Sequence, residues 1–345
     1  MKPLFYSDYL EGAHPRLLDA LRDTNLVQTP GYGEDEYCDE ARDLIRKVCA
    51  APDADVHFLV GGTQTNVTVI NAALKPYQGV LCAVSGHINV HETGAVEHGG
   101  HKALGLPATD GKISADQIKD AVETHFADPS FEHTVQPGMV YISFPTELGT
   151  IYSKSELEAI SSVCHSKHIP LFIDGARLGY GLTCDACDVT IQDIARLADV
   201  FYIGGTKQGA LFGEAVVITN PELKPYFRYS IKQNGGMLAK GRLLGVQFAE
   251  LFRDNLYFDI ARNANIQAAR VRKALAAKGL ELVGSSPTNQ VFVVLTASQM
   301  AKLDESVGYE FWNKVDADRS VVRICTSWCT PDSSMDVLEA AIASL

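Results

Sequence analysis

No stretch of this 345-residue chain supplies the roughly 18 uninterrupted apolar residues that a membrane-spanning helix needs. The N-terminal run MKPLFYSDYLEGAHPRLLDAL lacks the apolar core of a signal peptide. Positive charge is scarce. Thirty Lys and Arg against 42 Asp and Glu leave a formal net charge of -12, which argues against nucleic acid or an anionic membrane as the main partner. Nucleotide-binding patterns are missing as well: no GK[ST] follows the turn at Gly61, and DGARLGYG has the wrong spacing for G-x-G-x-x-G. Eight cysteines are too few for a disulfide scaffold in a chain this long. They lie in apolar or helical contexts such as RKVCA and SSVCHSKH, and read as reduced thiols of a cytoplasmic protein.

What is present is the texture of an enzyme-sized globular protein, long enough for two domains. Short apolar runs alternate with helical patterns through the first two-thirds. DVHFLV, GVLCAV, GMVYISF, IPLFID and DVFYIGG read as strands, and Ser153 with Glu156 three residues on reads as the capped start of a helix. The alternation predicts an α/β architecture, a doubly wound, mostly parallel sheet covered by helices on both faces, in a large domain of residues 1–235 that includes the N-terminal segment. After Gly235 a long helical region and the strand-like NQVFVVL and RSVVRICTSW predict a smaller α+β domain, residues 236–345.

In such a sheet, ligands bind at the carboxyl ends of the strands, so polar residues there carry the functional reading. DVHFLV runs into Gly61-Gly62-Thr63-Gln64-Thr65-Asn66, a turn opening a helix, whose free amides suit a phosphate or simply a tight Thr-capped turn. LFIDGAR ends a strand on Asp174, which needs a cationic or proton-donating partner if buried. Lys207 lies between two apolar runs in DVFYIGGTKQGALFGEAVVIT, either as a solvated turn lysine or as a nucleophile beside a cofactor. Aspartate, lysine and phosphate turn on three strand ends match the needs of pyridoxal 5′-phosphate: a lysine to form the Schiff base, an acid to keep the pyridine nitrogen protonated, a helix terminus for the phosphate.

The segments SDYLEGAHPRLLDAL, GYGEDEY, GGTQTN, GHINVHETGA, IDGARL and GGTKQG, with VVRICTSW near the end, resemble in their order the low-specificity L-threonine aldolases. These belong to the β-eliminating lyases among the fold-type I pyridoxal-phosphate enzymes. The resemblance implies cleavage of L-threonine, L-allo-threonine or a related β-hydroxy-α-amino acid to glycine and an aldehyde. It makes Lys207 the cofactor-bearing amine, Asp174 the pyridinium partner and His87 the residue stacked on the ring. Gly62, Thr63, Thr206 and Arg177 complete the cofactor set. Arg177 and Arg323 would grip the substrate carboxylate with Ser7 nearby, while Asp8 orders the N-terminal segment. Tyr32 would be offered across an interface, so the resemblance implies a homodimer or homotetramer with shared sites. Lys232, and less cleanly Lys240, match the cations of that interface.

The chain departs from many relatives where they carry an NTHN-like loop: it reads FPTELGT, which puts Glu147 there. Glu147 and His87 are rival candidates for the base that takes the β-hydroxyl proton, and a brace of the loop is the third reading of Glu147. Two other functions stay open: β-elimination or transamination of another amino acid by the same cofactor, and zinc-dependent hydrolysis. The zinc reading would draw on His87, His91 and Glu92 or on Cys184 and Cys187, although neither H-E-x-x-H nor a second C-x-x-C is present.

Overall fold

The computed structural model describes residues 2–345. The apolar runs become six strands of a seven-stranded sheet: β2 (Asp55–Leu59), β3 (Gln78–Ala83), β5 (Gln136–Ser143), β6 (Leu171–Asp174), β7 (Val200–Gly204) and β8 (Glu214–Ile218). The seventh, β4 (Lys102–Leu106), was not expected, because as a half-exposed edge strand it carries no continuous apolar run. The order is β2-β8-β7-β6-β5-β3-β4. The pairs β4–β3–β5–β6–β7 are parallel, and β8 alone runs antiparallel to its neighbours β7 and β2. Strands buried on both faces read as continuous apolar runs, which is why their positions were predictable.

The two-residue period assigns side chains to the two faces. Ile142, Ile173, Phe201 and Val217 pack against the helices Glu36–Cys49, Lys154–Ser166, Ile191–Leu197 and Arg242–Phe252. Tyr141, Phe172, Tyr202 and Val216 face the other way, under the helices Gly62–Ala73 and Phe227–Gln233. The Lys154–Ser166 helix starts on the expected reciprocal cap: Glu156 N donates to Ser153 Oγ at 3.2 Å and Ser153 N to Glu156 Oε2 at 2.7 Å.

The second sheet is ordered β1 (Leu4–Phe5), β10 (Gly308–Lys314), β11 (Arg319–Cys325), β9 (Gln290–Thr296). Here the structure differs from a division at 235/236. The first strand finds its ladder partners on β10, so the N-terminal segment joins the small sheet instead of the large domain. The helix Arg242–Phe252 buries Leu244 and Phe248 in the large core. The expected single helical region also breaks after Phe252, where Asp254 and Asn255 take φ of 51° and 63°, before the helix Leu256–Ala277 begins. That helix joins the two bodies, with Tyr257 in the large core and Val271 and Leu275 in the small one. Among the described residues no helix is long and apolar enough to cross a membrane.

Candidate active site

The carboxyl ends of the parallel strands converge on a cavity of about 300 Å³. Its walls come from the turns after β2 (Gly61, Gly62, Thr63), β5 (Ser143, Glu147), β6 (Asp174, Arg177) and β7 (Thr206, Lys207), with His87 after β3. Because β8 is antiparallel, its first residue, Glu214, reaches the same edge. A second chamber of about 280 Å³ shares His87, Glu147, Arg177 and Lys207 and extends to Gln290, Glu310, Trp312 and Arg323 of the small sheet. The site is therefore a cleft between the two domains.

Asp174 is buried at the end of β6, and the alternation that turns it toward Tyr141 and Tyr202 supplies its partners. Tyr202 Oη and Ala176 N donate to Oδ1 at 2.5 and 2.9 Å, and Tyr141 Oη and Asn66 Nδ2 donate to Oδ2 at 2.5 and 3.2 Å. Burial raises both phenols well above their ordinary range, and the Asp174 charge adds to this, so both remain donors. A carboxylate held by four donors is fixed in direction, as a partner for a protonated ring nitrogen must be.

Lys207 is beside it because two turns approach closely. A Cβ on Gly175 would lie 1.9 Å from the Tyr202 carbonyl oxygen, and one on Gly204 would lie 2.4 Å from that of Ala176, so only glycine allows the ends of β6 and β7 to meet. Tyr180 Oη clamps the Lys207 carbonyl at 2.5 Å. Enclosure by protein, reinforced by Arg177, lowers the Lys207 amine below its ordinary value, against the opposing pull of Asp8, Asp174 and Glu214. That shift favours the neutral, nucleophilic form. Lys207 faces both chambers, and the solvated-turn reading falls away.

His87 Nδ1 lies 2.7 Å from Oε1 of Glu92, whose side chain is fully buried. Asn66 Nδ2 donates to the same oxygen at 2.7 Å and so ties the pair to Asp174. Glu147 Oε1 accepts from Ser143 Oγ at 2.6 Å and from the His87 amide at 2.9 Å. Burial raises the Glu147 carboxyl above its ordinary value, more than these two hydrogen bonds lower it.

The two arginines differ. Arg177 donates through Nε and Nη2 to Asp8 at 2.6 and 3.0 Å, which leaves Nη1 for a ligand. Arg323 donates to Gln290 Oε1 at 2.8 Å, to the Tyr6 carbonyl at 3.0 Å and to Glu310, and lies over the Trp312 ring; its buried Nε has no partner. Ser7 is buried but is not in the wall of either chamber; its neighbours Tyr6 and Asp8 meet the arginines. Tyr32 also lies outside both chambers. It lines a surface hollow with Arg228, Tyr229, Lys232 and Met237, with Lys232 Nζ 4.9 Å from its ring centroid.

The helix Gly62–Ala73 begins without a side-chain cap, so its first amides are free for an anion. Together with Lys207, Asp174 and His87 around one cavity, these residues fit pyridoxal 5′-phosphate. Cys184 and Cys187 are free thiols away from this cavity, and among the described residues no group of three or more His, Cys, Asp or Glu is placed to hold a metal ion. Sequence reasoning missed Asn66, Tyr141, Tyr202 and Glu214. Of these, Glu214 alone left a signal, an acid at the first position of an otherwise apolar strand.

The family profile described as beta-eliminating lyase matches residues 5–298. A low specificity L-threonine aldolase of Pseudomonas sp. is 28% identical over 99% of this chain and 97% of its own length. A solved threonine aldolase of Leishmania major is 42% identical, covers 99% of both chains and superposes with a TM-score of 0.96. A Thermus thermophilus aspartate aminotransferase shares only 15% identity but the same fold, at a TM-score of 0.73. By this match over most of its length, as by its lysine, aspartate and phosphate turn, the chain belongs to the β-eliminating lyase family.

Proposed function

We propose that this protein cleaves the Cα–Cβ bond of L-threonine or L-allo-threonine, giving glycine and acetaldehyde. The observation that carries the reading is the cleft itself. Two arginines suited to a carboxylate, Arg177 and Arg323, and two candidate bases, Glu147 and His87, line one chamber with Lys207.

Gly62, Thr63 and Thr206 would hold the cofactor phosphate, Lys207 its reactive carbon and Asp174 its ring nitrogen, with His87 against the ring. When bound, pyridoxal 5′-phosphate supplies an electron sink for the pair left on Cα. Arg177 Nη1 and Arg323 Nε take the substrate carboxylate and so fix which Cα bond stands across the ring plane. Glu147 or His87 removes the β-hydroxyl proton, the Cβ–O bond becomes a carbonyl as Cα–Cβ breaks, and Cα takes up a proton to give glycine.

We read the active unit as a homodimer or homotetramer. Tyr229, 77% exposed, lines the hollow with Tyr32 and Lys232, and Tyr226, 81% exposed, packs edge-on against Tyr229, an apolar and cationic patch suited to a second copy. The eight free thiols fit a cytoplasmic location.

A panel of β-hydroxy amino acids assayed for glycine release tests the reaction. Glycine and acetaldehyde from threonine support it. Pyruvate and ammonia from another amino acid, with no glycine from any of the panel, would make elimination the reaction instead.

A further inference from the structure

Glu214 is buried in the wall of the cofactor cavity, with no role in the reaction described above. Both of its oxygens are engaged with the turn that carries Lys207. Gly205 N donates to Oε2 at 2.9 Å and Thr206 Oγ donates to Oε1 at 2.9 Å. Register places Glu214 beside Gly204 on β7 and beside Leu59 on β2, so it stands between the Lys207 turn and the helix start that would take the phosphate.

Two physical problems follow if a phosphate dianion enters that space. A buried carboxylate and a phosphate in one cavity repel strongly, since little water screens them. The hydroxyl of Thr206 is also already committed. A hydroxyl has one hydrogen and two lone pairs. Thr206 Oγ accepts from Gly213 N at 3.0 Å and gives its only hydrogen to Glu214, so it has none for a phosphate.

We propose that cofactor binding places a proton from solvent on Oε1 of Glu214, reversing the Glu214–Thr206 hydrogen bond. Thr206 Oγ then accepts from both Gly213 N and Glu214, and its hydrogen is released to donate into the cavity toward the phosphate. One proton removes the repulsion and supplies the missing donor. The inference rests on the cofactor reading given above. The ionisable groups facing Glu214 are Lys207, which favours its charge, Asp174, which opposes it, and the phenols of Tyr202 and Tyr257. Burial already pushes the carboxyl up to about 7, against the opposing pulls of Thr206, Lys207 and Gly205, so an added anion finds it poised to protonate.

The linkage has a definite sign. Where Glu214 is ionised before binding, above about pH 7, binding takes up a proton and affinity falls as pH rises, by up to about tenfold per unit. The probe is 4-deoxypyridoxine 5′-phosphate, which has the phosphate and ring but no aldehyde to react with Lys207. Calorimetric titration of the cofactor-free enzyme near pH 8, in two buffers of different ionisation heat, counts the protons taken up. We expect the wild type to take up about one proton more than Glu214→Gln, whose amide can donate to Thr206 at every pH. The variant should also bind about tenfold or more tightly relative to wild type near pH 9 than near pH 7. A protonated-carboxyl infrared band should appear when the probe is added to wild type, a reading that does not depend on the variant folding. Binding with equal proton uptake in the two proteins, or without that band, overturns the assignment to Glu214 alone. Failure of the wild type to bind the probe overturns the cofactor reading and this inference with it.

Discussion

Glu147 Oε1 accepts a hydrogen bond from the backbone amide of His87 at 2.9 Å. The two candidate bases are thus fastened to each other, and Ser143 Oγ occupies the same carboxylate oxygen. Neither of these hydrogen bonds uses Oε2. Glu147→Gln keeps the shape and the acceptor on Oε1 but removes basicity, so it separates a base from a brace. As a base, Glu147 supports a fall in cleavage of about 10² or more, with glycine binding preserved. Its carboxyl is raised by burial, so the acid limb of kcat/KM should lie above the ordinary carboxylate range, activity falling as pH drops through it. An unchanged cleavage rate in Glu147→Gln gives the role to His87 or to a water.

His87 has its own test. Its Nδ1 is engaged by the buried Glu92 carboxylate, an arrangement that keeps the proton on Nδ1 and leaves Nε2 as the acceptor. His87→Phe retains an aromatic ring for stacking and loses the acceptor. If stacking is the whole role, cofactor affinity and cleavage should stay within a few-fold of wild type; a selective loss of cleavage of about 10² or more marks a base. Stopped-flow measurement of threonine cleavage beside cofactor titration separates the two.

How much of this was written in the sequence depends on what each residue answers to. Strand positions answered to local hydrophobic runs, so the large sheet was legible. Lys207, Asp174 and Gly62 mark strand ends, where ligands bind whatever the ligand is. Tyr141 and Tyr202 were hidden because, in an apolar strand, a tyrosine looks like core; only the pairing of β5 and β7 with β6 turns their hydroxyls toward Asp174. Glu310 was hidden because its partner Arg323 is 13 residues away on the neighbouring strand of the same sheet, and the chamber they line is completed by residues of the other domain. The N-terminal strand of two residues carried too little pattern to reveal that it pairs with β10, more than 300 positions away.

Lys207 is open to direct chemical identification. Borohydride reduction of the holoenzyme followed by peptide mapping should leave the cofactor attached at Lys207. Lys207→Ala should lose essentially all turnover while still taking up cofactor through the phosphate turn and Asp174. A label on any other lysine would show that the assignment is wrong.

The Asp8–Arg177 pair links the N-terminal segment to the site, and its stability contribution depends on pH. Burial alone would raise Asp8, but Arg177 and Lys207, with hydrogen bonds from Arg177 and Asn289, outweigh it and hold the carboxyl below the ordinary value of 3.8. A depressed folded-state pKa gives stability that is present above the unfolded value and lost as pH falls through the folded one. Asp8→Ala should cost roughly 3–5 kcal/mol, since it leaves a guanidinium enclosed without its partner. Denaturant unfolding of wild type and Asp8→Asn should show a gap that is constant above about pH 5 and narrows toward acid. A gap that does not change with pH would mean that the pair is not ionic.

Glu310 contacts the arginine assigned to the substrate carboxylate. It lies on β10 two residues from Trp312, on the side that faces the cleft, and pairs with Arg323 Nη2. The substrate carboxylate and Glu310 carry the same charge and approach the same guanidinium, so Glu310 opposes the incoming carboxylate. Its side chain is 42% exposed, and water moderates the opposition. Glu310→Gln removes the charge and keeps an acceptor for Arg323. KM for threonine should fall several-fold, with kcat little changed, because the opposition acts on binding and not on bond cleavage. Arg323→Ala should move KM the other way by about tenfold or more, through loss of the carboxylate grip. The two effects should not add, since without Arg323 the glutamate has no guanidinium to compete for. Steady-state kinetics of both single variants and the double variant, at low and high salt, measure the coupling. An additive cycle, or an unchanged KM in Glu310→Gln, would reduce Glu310 to a support for the orientation of Arg323.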